Sequence, residues 1–175
     1  METGSEHAAT ERDWMALIDD IYLGRWVIPN KGTRLPASSI RHLHLGTDLD
    51  GMEATLIASA GLNGKAAIVA DTHTMDALGT RISTNLGGLD TILLEHPHAD
   101  LATVADLSQR TRAYDYLIAV GSGTLNDLCK YVTAQDGRDY CVFGTAASMD
   151  GYTSSTASIT LESGLKISLP AHAPK

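Results

Sequence analysis

The sequence predicts an α/β fold, a mostly parallel sheet flanked by helices and followed by a C-terminal β-hairpin. Short apolar runs, typical of strands covered on both faces, alternate with helical stretches of about a dozen residues. Such alternation predicts βαβ units and therefore parallel pairing. Near the C-terminus, two stretches of alternating polarity flank a short turn that contains Gly164, which predicts an antiparallel hairpin.

The N-terminal part of the chain carries weaker signals. Residues 1–10 are polar and are predicted to form a disordered tail, which leaves residues 11–175 as one domain. Residues 11–22 place apolar side chains at helical spacing. A short strand is predicted over residues 40–45, and a helix over residues 50–60.

The later elements follow in a regular order. The strands of the parallel sheet are predicted at residues 66–70, 91–95, 116–120 and 140–144. Helices are predicted at residues 72–86, at residues 100–112, and from residue 124 through Lys130. The two hairpin strands are predicted at residues 157–161 and 165–169.

Composition and charge exclude several classes of partner. The formal net charge of −8 argues against nucleic acid or an anionic membrane surface as the main partner. No apolar run approaches the ~20 residues of a membrane helix, and the acidic, polar N-terminus is unlike a signal peptide. Cys129 and Cys141 are predicted to be buried thiols in a reducing compartment. We therefore expect a cytoplasmic protein.

A glycine turn, Gly121-Ser122-Gly123-Thr124, follows the third strand of the sheet. Glycine adopts positive φ without strain and lets a ligand approach the backbone, while the N–H groups and dipole of a helix start favour an anion. The turn is therefore a candidate pyrophosphate site, and the alternative is an ordinary strand-to-helix turn. The full Rossmann fingerprint is absent, because Asn126 stands where a third glycine is needed.

A hydroxyl-rich loop follows the fourth strand and contains Asp150-Gly151. Ligands in open α/β sheets bind beyond the carboxyl ends of the strands. A carboxylate there can accept hydrogen bonds from substrate hydroxyls, and the alternative is a solvated turn capped by serines. The hydroxyl residues of the loop are Thr145, Ser148, Thr153, Ser154, Ser155 and Thr156.

Asp71 ends the first strand of the sheet. An acid at this position can bind the ribose hydroxyls of a dinucleotide. It can equally cap the helix that follows, because Asp is a favourable N-cap residue. The pattern alone leaves both interpretations open.

Two segments together resemble the bacterial sn-glycerol-1-phosphate dehydrogenases. They are Val-Gly-Ser-Gly-Thr-Leu-Asn-Asp-Leu-Cys-Lys-Tyr at residues 120–131 and Thr-Ala-Ala-Ser-Met-Asp-Gly-Tyr-Thr-Ser at residues 145–154. These enzymes share a superfamily with glycerol dehydrogenase, iron-type alcohol dehydrogenases and 3-dehydroquinate synthase. The resemblance runs from Trp14 to the last residue. One departure is Gly144, where the family often has proline, and it predicts a less rigid loop.

The resemblance implies a Rossmann-like NAD(P)-binding lobe of a metal-dependent dehydrogenase active in phospholipid metabolism. The implied reaction is reversible hydride transfer between NAD(P)H and dihydroxyacetone phosphate, giving sn-glycerol 1-phosphate. Asp150 takes the position of a substrate contact. Asp71 takes that of the cofactor-ribose acid, and its charge would disfavour a 2′-phosphate and so weakly favour NAD. The other implied cofactor contacts are Gly121, Ser122, Gly123, Thr124, Leu125, Thr145, Ala146, Ala147, Ser148 and Ser154.

In the family, a C-terminal helical lobe binds the divalent metal, zinc or nickel, through one aspartate and two histidines. The metal aspartate follows a Pro-Ala-x-x-Pro stretch, seen here at residues 170–174, so the resemblance implies that all three ligands lie beyond Lys175. The chain alone would then bind a nucleotide weakly without turnover. Histidine pairs at positions 42 and 44, and at 96 and 98, lack a third clustered ligand and are interpreted as surface.

Asp127 and Lys130 lie behind the glycine turn. They are open to a catalytic interpretation, or to a structural one as an acid of the first helical turn and a surface lysine. Two alternatives to the main functional hypothesis also stay open. One is another enzyme of the superfamily, either a glycerol or polyol dehydrogenase or a dehydroquinate-synthase-like cyclase. The other is a stand-alone nucleotide-binding module. A homo-oligomer is compatible with each.

Overall fold

The chain divides into two compact units, Met1–Ser38 and Ser39–Lys175. The computed structural model describes Ala16, Asp20, Arg25, Ile40 and residues 42–46, 48–147 and 149–175. In the first unit, Ala16 and Asp20 are helical, and the Arg25 guanidinium pairs with the Asp20 carboxylate at 2.9 Å. The predicted tail over residues 1–10, and most of the predicted helix over residues 11–22, lie outside the described residues.

A four-stranded parallel sheet forms the centre of the second unit, as the sequence predicts. Its spatial order is β2-β1-β3-β4, and each neighbouring pair is parallel. The strands are β1 (Ala66–Asp71), β2 (Asp90–Leu94), β3 (Tyr116–Gly121) and β4 (Asp139–Gly144).

Helices connect the strands at every crossover. The helix predicted over residues 72–86 is present, but its middle third, Met75–Gly79, is π-helical. The helices are α1 (Glu53–Ser59), α2 (Thr72–Thr74), α3 (Thr80–Asn85), α4 (Leu101–Thr111) and α5 (Gly123–Asp136). Helix α5 ends at Gly137, whose φ of 74° is the left-handed conformation that glycine adopts without strain.

The sheet is covered on both faces, because neighbouring residues of its central strands alternate between two apolar cores. Val69 and Ala119 pack with α4 and α5 in one core, and Ile68 and Ile118 pack with α1 and α3 in the other. All four side chains are fully buried. The fold is therefore three layers, helix–sheet–helix, which explains the nearly continuous apolar strands of the sequence.

The predicted C-terminal hairpin is also present. It consists of β5 (Thr156–Thr160) and β6 (Lys166–Pro170), which pair antiparallel. Two β5 side chains, Ala157 and Ile159, are fully buried in the core that contains α5. The hairpin therefore lies on the helical layer and fixes the chain that follows the hydroxyl-rich loop.

The strand predicted over residues 40–45 is wrong. Ile40 and residues 42–46 belong to no strand or helix. The apolar side chains that suggested a strand are not buried together: Ile40 is buried, whereas Leu45 is 72% exposed. An isolated apolar run with no neighbouring strand gains nothing from the extended conformation.

The two cysteines are free and buried, as predicted. The thiol of Cys129 lies on α5 and that of Cys141 on β4. Among the residues that the structure describes, none of the helices combines the length and apolar character needed to cross a bilayer.

Candidate functional site

Three chain segments meet at the carboxyl edge of the sheet. Strands β1 and β3 are neighbours, with Val69 opposite Ala119, and Gly121 is opposite Gly144 on β4. Asp71, Gly121 and Gly144 therefore end three adjacent strands at the same edge. The connection after β1 leads to β2 on one side, and the connection after β3 leads to β4 on the other, so the gap between β1 and β3 is the switch point of the sheet. Ligands of open α/β folds bind at such a point.

The glycine turn places the start of α5 at this point. Ser122 is the N-cap residue, and its hydroxyl makes no capping hydrogen bond. The first amide with an acceptor inside the helix is that of Asn126, which donates to the Ser122 carbonyl at 2.9 Å. The amides of Gly123, Thr124 and Leu125 come before it and have no acceptor within the helix. Three N–H groups and a hydroxyl are thus available to an anion.

Lack of space, rather than positive φ, explains the two glycines of the turn. Neither Gly121 nor Gly123 has a positive φ. A Cβ added at Gly121 would collide with the buried side chain of Leu125. A Cβ at Gly123 would lie 2.5 Å from Cε of Met149. The sequence-based argument from φ is therefore wrong here, and the close neighbours of the two glycines are the side chains of Leu125 and Met149.

The hydroxyl-rich loop is tied to the glycine turn by its backbone and by one side chain. The Thr145 amide donates to the Gly121 carbonyl at 3.1 Å. The Tyr152 hydroxyl lies 3.3 Å from that carbonyl oxygen and 3.1 Å from the carbonyl oxygen of Ala146. Ala147 is exposed, and Ser148 lies outside the described residues. Thr145 therefore lies beside Gly121, and Ala146 is joined to Gly121 through Tyr152.

Asp150 presents an exposed carboxylate. Its side chain makes no hydrogen bond to any residue that the structure describes, and its carbonyl accepts from the Thr153 amide at 3.3 Å. Ser154 is used within the loop, because its Oγ accepts the Thr156 amide at 3.0 Å and lies 2.9 Å from Oγ1 of Thr156. Asp150 is therefore available to a ligand, while Ser154 first stabilises the loop itself.

Asp71 caps the helical segment that follows β1. Its Oδ1 accepts the Thr74 amide at 2.7 Å, and Oγ1 of Thr74 accepts the Asp71 amide at 3.0 Å, which is a capping box. The capping interpretation is thus realised. Oδ2 of Asp71 accepts no hydrogen bond from a described residue, so one carboxylate oxygen is available at the switch point.

Lys130 is a buried lysine, and its interpretation as a surface residue is wrong. Its side chain is 0% exposed, and its ammonium donates to the carbonyls of Gly151, Ser154 and Thr156 at 2.6, 2.9 and 3.3 Å. Burial lowers the pKa of Lys130, and the nearby Asp127 carboxylate partly opposes that effect. Lys130 thus connects α5 to the loop that contains Asp150.

Asp127 and two further polar residues complete this connection. The sequence suggests Asp127 as an acid of the first turn of α5, but it lies beyond that turn. Its Oδ2 accepts the Ser158 amide of β5 at 3.2 Å. Burial raises its pKa. Asn126 Nδ2 lies 3.4 Å from the Gly151 carbonyl, and its Oδ1 accepts the Tyr140 hydroxyl at 3.1 Å. One face of α5 therefore fixes both the loop and the hairpin.

Residues 44–175 match the iron-containing alcohol dehydrogenase family. The chain belongs to this family. It is 29% identical over 135 residues to a protein named glycerol-1-phosphate dehydrogenase [NAD(P)+] from Methanoregula boonei, covering 77% of this chain and 37% of the relative. A protein of the same name from Bacillus velezensis is 32% identical over 118 residues, covering 61% and 29%. The chain thus spans about a third of the length of these relatives.

Solved structures of the family share the fold. A probable glycerol dehydrogenase from Sinorhizobium meliloti aligns with a TM-score of 0.59 at 24% identity, covering 72% of this chain and 35% of that one. An iron-containing alcohol dehydrogenase from Thermotoga maritima aligns with a TM-score of 0.57 at 14% identity, covering 71% and 42%. At these identities the likeness shows the fold alone.

The family's description names iron, but the described part of this chain offers no metal site. It contains no group of three His, Cys, Asp or Glu side chains that could hold an ion. His96 and His98 line an open cavity of about 280 Å³ at the end of β2, together with Arg110. His42 and His44 lie in the irregular segment before α1. These residues do not fit a metal centre.

Sequence reasoning left Lys130 open to a catalytic or a surface role and missed its burial, and it missed the contacts of Tyr152. A signal for Lys130 is present in the sequence: it is the one charged residue in the run Leu128-Cys129-Lys130-Tyr131-Val132. A lysine surrounded by apolar residues on a helix is unlikely to face only water, because such a helix is buried on most sides. Tyr152 lacks a comparable signal, since its contacts depend on how two loops meet.

Proposed function

We propose that this chain is the NAD(P)-binding lobe of a metal-dependent sn-glycerol-1-phosphate dehydrogenase. The reaction would be hydride transfer between NAD(P)H and dihydroxyacetone phosphate. The observation that carries the proposal is the meeting of the α5 N-terminus, the Asp71 carboxylate and the Asp150 loop at one edge of the sheet. The names of the relatives, glycerol-1-phosphate dehydrogenase [NAD(P)+], support the substrate and the cofactor.

The residues at this edge fit a dinucleotide. The amides of Gly123, Thr124 and Leu125 and the Ser122 hydroxyl would bind the pyrophosphate. NAD(P)H supplies the hydride when it is bound, and the chain's own residues bind and orient it. Further contacts are proposed for Asp71, through Oδ2 to the ribose, and for Thr145, Ala146, Ala147, Ser148 and Ser154.

The Asp150 carboxylate is proposed to bind the substrate. It is exposed and has no hydrogen-bond partner among the described residues, so it can accept hydrogen bonds from substrate hydroxyls. Lys130 does not supply positive charge for the phosphate of the substrate, since its ammonium is buried and occupied by three carbonyls. We propose that the phosphate site and the metal ligands lie in the two thirds of the relatives that this chain does not span.

The test uses the uninterrupted reading frame that contains this chain. Oxidation of NADH and NADPH is followed by absorbance with dihydroxyacetone phosphate, with and without a chelator. Dihydroxyacetone, which lacks the phosphate, and glycerol with NAD⁺ test the polyol dehydrogenase alternative. We expect chelator-sensitive oxidation with the phosphorylated substrate only. Oxidation of NADH with dihydroxyacetone, reduction of NAD⁺ with glycerol, or no change with any substrate would each reject the proposed substrate.

Asp150→Asn tests the substrate contact in the same protein. Loss of a hydrogen bond to a charged group costs about 1.5–3 kcal/mol, which corresponds to a loss of roughly 10–100-fold in kcat/KM. Glu162→Gln is the matched control, because Glu162 is an exposed acid in the turn of the hairpin. Equal effects of the two substitutions would contradict a role of Asp150 in substrate binding.

A further inference from the structure

The Lys130 ammonium is fully occupied by backbone carbonyls of one loop. A lysine ammonium has three N–H donors, and three carbonyl oxygens lie within 2.6–3.3 Å of Nζ, those of Gly151, Ser154 and Thr156. In the described part of the chain, Lys130 forms no ion pair with a carboxylate. Its ammonium thus interacts with the backbone of residues 151–156, the segment that directly follows Asp150.

This loop is held by side chains, among them those of Lys130, Tyr152 and Ser154. Its own backbone hydrogen bonds are long, since the Thr153 amide lies 3.3 Å from the Asp150 carbonyl and the Ser154 amide 3.3 Å from the Gly151 carbonyl. An apolar residue at position 130 would avoid the desolvation cost of a buried ammonium. A purely packing role would therefore not require lysine, whereas coordination of three converging carbonyls does.

Lys130 also links the loop to the glycine turn. It lies on the same helix, seven residues after Gly123, and therefore roughly 10 Å along the helix axis. Because α5 is rigid and buried, an ammonium fixed on it holds the loop at a constant distance from the helix N-terminus.

We propose that Lys130 is a positioning residue that fixes the conformation of the Asp150 loop relative to the N-terminus of α5. The consequence for substrate rests on the proposed function, in which the helix N-terminus binds the cofactor and Asp150 the substrate. Lys130 itself touches neither. It acts through the carbonyls of Gly151, Ser154 and Thr156.

The experiment compares Lys130→Gln and Lys130→Met in the protein produced from the full reading frame. Lysine offers three donors, glutamine two and methionine none, at similar side-chain length. Thr133→Val is the matched control, because Thr133 is buried on the same helix but bonds Cys129 and His172 rather than the loop. The readouts are amide hydrogen exchange of residues 150–156, the Kd of NADH, and kcat and KM with dihydroxyacetone phosphate.

We expect loop exchange to rise in the order Lys, Gln, Met, by about tenfold or more for Met, while Thr133→Val leaves it unchanged. Turnover should fall in the same order, by roughly 10–100-fold for Met, and the Kd of NADH should rise by a smaller factor, because Tyr152 and Ser154 lie in the same loop. Lys130→Gln should also cost much less in an Asp150→Asn background, because Lys130 acts through Asp150. Equal exchange in the Gln and Met variants and the wild type, or additive losses with Asp150→Asn, would overturn the proposal.

Hydrogen exchange separates this proposal from the proposed function. If the wild type does not reduce dihydroxyacetone phosphate, the proposed substrate is rejected. The hydrogen-exchange rates of the loop still test the contact between Lys130 and the loop. Should Lys130→Met fail to fold, Lys130→Gln retains two donors and gives the same comparison with Thr133→Val. Unchanged loop protection in Lys130→Gln, together with unchanged kcat and KM, would then reject the role of Lys130.

Discussion

The hydroxyl oxygen of Tyr152 lies 3.3 Å from the carbonyl oxygen of Gly121. Because the same hydroxyl lies 3.1 Å from the Ala146 carbonyl, one phenol joins the end of β3 to the loop after β4. Burial raises the pKa of Tyr152, so the hydroxyl remains a hydrogen-bond donor throughout the neutral range. The two segments that we propose as the cofactor site are thus connected through a side chain outside the glycine turn.

Tyr152→Phe tests this connection. Loss of a hydrogen bond costs about 0.5–1.5 kcal/mol, so the Kd of NADH should rise roughly 2–10-fold if the phenol orders the cofactor site. Fluorescence titration with NADH measures the change. Tyr131→Phe is the control, because the Tyr131 hydroxyl bonds no described residue and its ring packs against the core. A similar rise in the Kd of NADH in both variants would mean that the substitutions act through the stability of the fold rather than through the cofactor site.

Gly121→Ala and Gly123→Ala should differ in their effect on stability. The added methyl at position 121 meets the side chain of Leu125, which is only 2% exposed and cannot move away. We expect Gly121→Ala to lower the free energy of unfolding by about 1–3 kcal/mol, as overpacking does. At position 123 the methyl meets the flexible end of Met149, so stability should change less.

Urea unfolding compares the two glycine variants, and NADH titration completes the test. Gly123→Ala should weaken NADH binding although it folds well, because its methyl would displace the end of Met149 beside the amides proposed to bind the pyrophosphate. If Gly123→Ala binds NADH as tightly as the wild type, the pyrophosphate does not approach the turn at that position.

Asp71 should influence stability and cofactor preference separately. Asn is as good an N-cap residue as Asp, so Asp71→Asn should retain the bond to the Thr74 amide and unfold within about 0.5 kcal/mol of the wild type. Asp71→Ala should lose about 1 kcal/mol. Both variants remove the charge that would repel a 2′-phosphate. In both, the ratio of kcat/KM for NADPH to that for NADH should therefore rise by about tenfold, which corresponds to about 1.4 kcal/mol.

The ratio of kcat/KM for NADPH to that for NADH checks the charge effect, and thermal unfolding checks the cap. The two variants serve as controls for each other, since they share the loss of charge and differ in the cap. A ratio that stays constant in both would leave Asp71 as a capping residue alone.

The strands, and the placement of the glycine turn and Asp71 at their ends, could be predicted from the sequence, because both depend on local patterns. Apolar runs of five residues identify strands buried on both faces, and the glycine turn and Asp71 lie at their ends. The role of Lys130 could not be predicted, because its three acceptors are carbonyls of residues more than twenty positions away. Local sequence does not reveal which helix residues such a loop contacts in the folded chain.

Gly144 is a similar case. The sequence predicts a less rigid loop where the family often has proline. In the structure, a Cβ at Gly144 would lie 3.1 Å from the Tyr152 hydroxyl oxygen, so the absent side chain leaves room for the tyrosine. The same tyrosine holds the loop to Gly121 and Ala146. A compensation of this kind involves two residues that lie apart in sequence, and neither residue indicates it alone.

Cys129 and Cys141 should be unreactive in the folded protein. Burial raises the pKa of the Cys141 thiol from its ordinary value of 9.0 to about 12, and burial raises the pKa of Cys129 as well. At about pH 8 neither forms appreciable thiolate, which is the reactive species. Ellman's reagent should therefore label both thiols in urea but neither in buffer. Rapid labelling of the native protein would show that β4 or α5 opens readily.

The same shift determines how stability changes in alkali. The folded state holds the Cys141 proton up to about pH 12, whereas the unfolded state loses it near 9.0. The folded state thus binds more protons in this interval, and the contribution of Cys141 to the free energy of unfolding falls as pH rises through it. Cys141→Ala removes the titrating group, so urea midpoints measured at several pH values above 9.0 should decline less steeply than in the wild type. Parallel declines in the two proteins would show that other groups govern alkaline unfolding.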